Sequence, residues 1–415
     1  MAPSRKERAP GATPKWLAIV GISEDGLDGL GAGARRAITE AEVVFGGARH
    51  LDLAADAIDG EAKPWPSPFD ATMADLVALR GRSVCVLASG DPFWNGVGAT
   101  IARHIDADEY RVFPGPSAFS LAAARLGWAL QDVETVSLHG RATSLIRPLL
   151  QHGARILALT SDGAAPDEIA GLLCSFGFGA SRVHVLECLG GPSERIVPAR
   201  VDELGQARFA DLNIVAIEVR AGPDARTIPL AGALDDGLFE HDGQITKQEV
   251  RAVTLAALAP CRGELLWDVG AGSGSIAISW LLAHRSMRAI AVEKNADRAA
   301  RIRRNADALG VPGLALVEGS APAALGGLPT PDAVFIGGGG SGDGVTEAAM
   351  EALSPGGRMV ANAVTLEMEA HLLALHARHG GTLTRITLSR AEPVGTMTGW
   401  RPAMPVTQWR WVKST

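Results

Sequence analysis

Short apolar runs punctuate the first half of the chain: WLAIVGI at 16–22, VCVLASGDPF at 84–93, YRVFPGPSAFSLAAARLG at 110–127 and VETVSLHGR at 133–141. Most break at Gly, Ser, Asp or Pro and lead into a helical pattern, such as GARRAITEAEVVFGG after the first. That alternation predicts parallel βα units, with functional loops at the strand ends. A second set follows at ARILALTSDG (154–163), PDEIAGLLCSFG (166–177), SRVHVLECLGG (181–191) and DLNIVAIEVRAG (211–222), and predicts a second α/β layer in the same half.

Beyond Gly222 periodicity lapses over PDARTIPLAGALDDG, which reads as a linker. The pattern then restarts as helix TKQEVRAVTLAALAP, strand ELLWDVG, a helix from Ser275, strand AIAVE, helix ADRAARIRRNADALG, strands LALVEG and DAVFIGG, helix GVTEAAMEAL and strand GRMVANAV. This predicts a doubly wound sheet. The expected organisation is a flexible tail over 1–14, a domain over 15–222, a linker over 223–238 and a domain over 239–415.

Composition adds limits to this picture. A length of 415 residues calls for two or three domains at roughly 100 to 200 residues each. With 47% hydrophobic and 20% charged residues the chain has the material for packed cores. A formal charge of -7 gives no electrostatic case for nucleic acid as a partner. Cys85, Cys174, Cys188 and Cys261 lie far apart without a C-x-x-C pair, so neither a zinc site nor a disulfide framework is indicated and a reducing cytoplasm is expected. The polar, Pro-rich start reads as a flexible tail rather than a signal peptide, and no run approaches the roughly 20 apolar residues that span a bilayer.

Candidate chemistry is clearest in WDVGAGSGS. Gly270, Gly272 and Gly274 permit a sharp turn and a close approach of backbone to ligand, and Glu293 ends the next strand where it can accept from ribose hydroxyls. A dinucleotide loop reads G-x-G-x-x-G and receives a pyrophosphate. This one reads G-x-G-x-G after Asp268, which suits an ammonium and a sulfonium and favours S-adenosylmethionine over NAD; a nicotinamide-dependent oxidoreductase is the rival. Ser320 and Ala321 in EGSAP, the run FIGGGG, and Thr246 extend the same rim. In the first half, Ser89, Gly90 and Asp91 end one strand, and Ser117 and Ala118 follow the Pro-Gly turn of another.

Taken in order, VGISEDGLDGL, VLASGDPF, FPGPSAFS, VSLHGR and LECLGGPSERI resemble the tetrapyrrole methylase family, in its branch that methylates precorrins on the way to cobalamin, from about Trp16 to Ala221. The second half, through DDGLFEHDGQITKQEVRA, WDVGAGSGS, FIGGGG and VANAVTLE, is similar to the decarboxylating methyltransferase that partners this branch. The resemblance implies a bilobal class III α/β domain followed by a Rossmann-like class I methyltransferase domain. It also implies two S-adenosylmethionine sites, methylation at carbons 5 and 15, and loss of the ring C acetate carboxylate. Ser23 departs from the glycine that the family carries in its first loop, and Ser279 from a common acidic residue.

A substrate bearing several carboxylates calls for basic contacts. The candidates are Lys247 and Arg251, four apart on one predicted helix face, and His139 with Arg141 after the VSL strand. Arg298, Arg301 and Arg304 share a face that reads as the outer surface of a helix. The expected partners are a precorrin and further copies of the chain in a homo-oligomer, with neither nucleic acid nor membrane.

Overall fold

The computed structural model describes residues 15–66, 72–205, 208–231 and 234–414; the tail expected over 1–14 lies outside them. The chain forms two compact units, Met1–Thr143 with His152–Ala225, and Ser144–Gln151 with Arg226–Thr415.

The first unit begins with β1 (Leu17–Ile22), β2 (Val43–Gly46), β3 (Glu61–Pro64), β4 (Val84–Ser89) and β5 (Tyr110–Phe113). They pair in the order β3-β2-β4-β1-β5, all parallel. β1 is buried along its whole length because both faces are covered. Leu17 and Ile19 join Val84 and Val86 in one core; Ala18, Val20 and Ile22 join Cys85 and Leu87 in another. An unbroken apolar run is thus required here, since successive side chains point to opposite faces.

The second sheet of this unit holds β6 (Glu134–Ser137), β7 (Arg155–Leu159), β8 (Arg182–Glu187), β9 (Arg195–Arg200) and β10 (Asn213–Glu218), ordered β6-β7-β10-β8-β9. Only β6 and β7 are parallel; the remaining pairs are antiparallel. The sequence pattern did not reveal this, because pairing direction depends on where a connection leads, and β9 carries Arg, Pro and Arg among its apolar residues.

In the second unit β11 (Leu265–Val269), β12 (Arg288–Glu293), β13 (Ala315–Glu318), β14 (Ala333–Ile336) and β15 (Arg358–Ala363) are parallel in the order β13-β12-β11-β14-β15. Strand order reverses between β11 and β14, which opens a crevice at their carboxyl ends. β16 (Thr382–Ile386) and β19 (Val406–Val412) extend the sheet antiparallel beyond β15, while β17 (Ser389–Val394) and β18 (Met397–Pro402) form a separate hairpin.

Within the stretch expected as a linker over 223–238, Ile228 and Leu234 are buried with Phe239, Ile278, Ala306 and Leu309. Two apolar residues six apart carry no periodic signal, so their burial shows only in three dimensions. Gln151 also belongs to this unit and donates to the Ile228 carbonyl at 2.7 Å. Among the described residues no helix is long and apolar enough to cross a membrane.

Candidate functional site

In the second unit the GAGSG turn leaves β11 and enters the helix Ser275–Ala283. Gly270 has φ +70°, and a Cβ there would stand 2.3 Å from the Gly338 carbonyl oxygen, so the turn after β11 and the glycine run after β14 meet backbone to backbone. The Gly270 and Ala271 amides both donate to the Val292 carbonyl. Glu293 is buried, and its two carboxylate oxygens accept from the Gly272 amide at 2.8 Å and the Asn295 amide at 3.0 Å. The Gly319 amide donates to the Glu293 carbonyl, which brings the turn carrying Ser320 and Ala321 to the same rim.

Asp268 lies beneath this turn. It is buried, one carboxylate oxygen accepts from the Ala277 amide at 3.0 Å, and the other has no partner among the described residues. Burial pushes its carboxyl up to about 7, a shift moderated by the Ala277 hydrogen bond and reinforced by the Glu293 charge. The Ser273 hydroxyl is likewise buried and unpartnered.

Arg251 corrects the basic pair proposed from helical spacing. Its side chain is 0% exposed; it donates to the Thr246 and Leu234 carbonyls at 2.6 Å each and to Asp236 at 3.0 Å, and lies over the Phe239 ring. Its donors are directed inward, so it braces the chain ahead of the helix Gln248–Leu258 rather than clamping a carboxylate. Lys247 precedes that helix as its N-cap, remains half-exposed and lies 3.8 Å from Asp236. Thr246 is half-buried and gives its carbonyl to Arg251.

The arginine face is also more than an outer surface. Arg298 and Arg301 both pair with Asp242, and Arg304 pairs with Glu240, so the helix Ala296–Ala308 fastens the loop through Gln244. The Gln244 backbone and two of these arginines hold the Asp242 carboxyl at about 2, well below its usual range.

The first unit contains a cavity of about 780 Å³. Ser89, Gly90, Ser117, Ala118, His139 and Arg141 all line it, so residues from the ends of β4, β5 and β6 converge. Gly90 turns with φ +53°, where a Cβ would meet the Pro116 carbonyl oxygen at 2.7 Å. The Ser117 hydroxyl caps the helix Ala118–Leu126 by accepting from the Ser120 amide at 3.1 Å. His139 donates through Nδ1 to the Thr160 carbonyl, 3.1 Å away, and Arg141 is exposed. Asp91 turns back on its own loop, where its carboxylate accepts from the Phe93 amide at 2.9 Å; it shapes the rim.

The pattern along the sequence missed Glu24, Arg49 and His50, which meet Ser89 at this cavity. Arg49 pairs with Glu24 and donates to the Ser89 hydroxyl at 3.2 Å, while His50 Nε2 lies 2.8 Å from the same hydroxyl. Burial, aided by the Arg49 charge, lowers the imidazole to about 4 and keeps it neutral. The only signal was GGARH after a buried strand, which ordinary turn chemistry explains equally well.

Residues 17–205 match the tetrapyrrole (corrin/porphyrin) methylases and residues 237–413 match the precorrin methyltransferase domain. A precorrin-6Y C(5,15)-methyltransferase [decarboxylating] from Sinorhizobium sp. is 60% identical over 404 residues, covering 97% of this chain and 98% of that protein. The chain belongs to the precorrin-6Y C(5,15)-methyltransferase (decarboxylating) family. Two shorter relatives, both from Salmonella typhimurium, divide that name. A cobalt-precorrin-7 C(5)-methyltransferase is 31% identical over 180 residues, 43% of this chain and 88% of its own. A cobalt-precorrin-6B C(15)-methyltransferase (decarboxylating) is 33% identical over 180 residues, 42% of this chain and 92% of its own.

Members of this family use S-adenosylmethionine, and the enzyme's second unit fits it. The glycine turn leaves room for close approach, and the unpartnered Asp268 oxygen and Ser273 hydroxyl are buried polar atoms of the kind a ligand or water satisfies.

Proposed function

We propose that the enzyme methylates a precorrin at carbons 5 and 15, taking each methyl from S-adenosylmethionine, and removes the ring C acetate carboxylate, converting precorrin-6B to precorrin-8. The observation that carries this reading is the pair of glycine-cornered sites at parallel strand ends, one in each unit. We assign carbon 5 to the first unit and carbon 15 with decarboxylation to the second, as the names of the two Salmonella relatives suggest.

S-adenosylmethionine supplies, when bound, a methyl group already activated by its sulfonium. The task left to the protein is alignment, which can lower such a barrier by several kcal/mol, because a meso carbon of the macrocycle is itself an electron-rich nucleophile. In the second unit Gly270, Gly272 and Gly274 shape the turn, Glu293 fixes the Gly272 amide and presents acceptor capacity toward ribose hydroxyls, and Asp268 supplies a buried carboxyl. In the first unit Ser89, Gly90, Ser117 and Ala118 form the corresponding wall, and His139 and Arg141 meet substrate carboxylates. Lys247 takes that role in the second unit. Decarboxylation breaks the bond between the acetate methylene and its carboxylate; the electron pair passes into the adjacent imine-like system and carbon dioxide leaves.

The boundary we assign between the two domains lies near Arg226, where the second compact unit resumes. A homo-oligomer is the expected assembly, because Val394, Met397, Trp400 and Met404 on and beside the β17–β18 hairpin are exposed. Four free cysteines accord with a cytoplasmic setting.

Calorimetric titration with S-adenosylmethionine tests the two-site reading, and mass spectrometry of the product from a precorrin incubation tests the chemistry. Two sites, a gain of two methyl groups and the loss of one carbon dioxide are expected. One site, or a product with a single added methyl, would overturn the assignment.

A further inference from the structure

We propose that Trp94 is the stacking platform for one face of the precorrin macrocycle in the first unit, and so a positioning residue for methylation at carbon 5; this rests on the reading that the first unit's cavity hosts that step. Trp94 lines the cavity yet remains 46% exposed. Its indole meets the buried Phe119 ring at 5.8 Å with a tilt of 48°, so the ring is steadied from behind while much of its surface stays open.

The backbone that presents Trp94 is fixed independently of the indole. Asp91 receives the Phe93 amide on its carboxylate and the Trp94 amide on its carbonyl, and the Gly98 amide returns to the Pro92 carbonyl at 2.9 Å. Asn95 is held at φ +58°, a left-handed conformation that few side chains other than Asn adopt. A Cβ at Gly96 or Gly98 would stand 2.6 or 2.7 Å from the Pro92 carbonyl oxygen, so the loop packs closely on its own backbone there. The loop thus holds a large aromatic ring in contact with water at a cavity, which is unfavourable unless a ligand covers the ring.

The remaining lining identifies that ligand's class. Leu212, also 40% exposed, adds a second apolar surface, and Arg49, His139 and Arg141 add basic groups. A flat conjugated macrocycle with carboxylates around its edge needs that combination: apolar contact for its faces and cations for its rim. A purely electrostatic site would leave Trp94 and Leu212 without a role.

The test uses the full chain carrying Trp94→Ala or Trp94→Phe. Trp94→Ala is expected to raise KM for precorrin in carbon 5 methylation about ten- to fifty-fold, with kcat within about twofold, and Trp94→Phe to recover most of the loss. Affinity for S-adenosylmethionine, methylation at carbon 15 and the melting temperature stay unchanged. The emission difference between wild type and Trp94→Phe is expected to be quenched when precorrin is added without S-adenosylmethionine. An unchanged KM overturns the proposal, as does weakened S-adenosylmethionine binding with quenching by that compound alone, which would place its adenine on the indole. The underlying reading fails separately: a Gly90→Val chain that folds and still methylates carbon 5 would remove the first unit from that step whatever Trp94 does.

Discussion

The Gly272 amide donates to the Glu293 carboxylate across 2.8 Å, tying the middle of the glycine turn to the end of the neighbouring strand. Glu293 therefore shapes the turn as well as offering acceptor capacity to a ligand. Glu293→Ala is expected to weaken S-adenosylmethionine binding in the second unit by about 1–3 kcal/mol, roughly five- to 150-fold. Calorimetry resolves this, because binding at the first unit should be unchanged.

Arg251 is expected to matter for stability. Arg251→Ala leaves Asp236 without its guanidinium and two carbonyls without a donor, so the second unit should lose about 3–5 kcal/mol. Arg251→Lys should not restore it, since one ammonium cannot span three fixed acceptors. Denaturant unfolding measures the loss. A raised precorrin KM with unchanged stability would return Arg251 to the substrate.

Asp268 gives the second unit a pH dependence. Its carboxyl is raised from the usual 3.8 to about 7, so between those values the folded chain keeps a proton that the unfolded chain has released. Stability from this group is then present at low pH and is lost as pH rises through about 7. Asp268→Asn should flatten that slope. If a bound ammonium favours the ionised carboxylate, S-adenosylmethionine binding near pH 6.5 should release a proton, seen as a buffer-dependent binding enthalpy.

His50 is expected to act in the opposite sense. Its imidazole is lowered from 6.5 to about 4, so between those values the unfolded chain holds a proton that the folded chain excludes. The first unit should lose stability as pH falls from about 6.5 to 4. Thermal melts of His50→Gln over that range should show a shallower fall. A steeper or unchanged fall would place the sensitivity elsewhere.

The two methyltransferase halves, the parallel cores and the glycine turn with Asp268 and Glu293 are legible in the order of residues, because each depends on neighbours along the chain. A buried parallel strand must be apolar at successive positions, and a turn that approaches another backbone must be glycine at the point of contact. Relations between distant segments emerge only in three dimensions. Helical spacing put Lys247 and Arg251 together, yet the side chain of Arg251 was claimed by Asp236 and two carbonyls from preceding segments. Asp242 and Glu240 likewise turned an arginine face inward to a loop. Ile228 and Leu234 gave no period, because residues that fill a core from an irregular segment are spaced by the shape of the core rather than by a helix or strand. The cavity wall of Glu24, Arg49, His50 and Ser89 depended on three strand ends meeting in space, and no local pattern encodes that meeting.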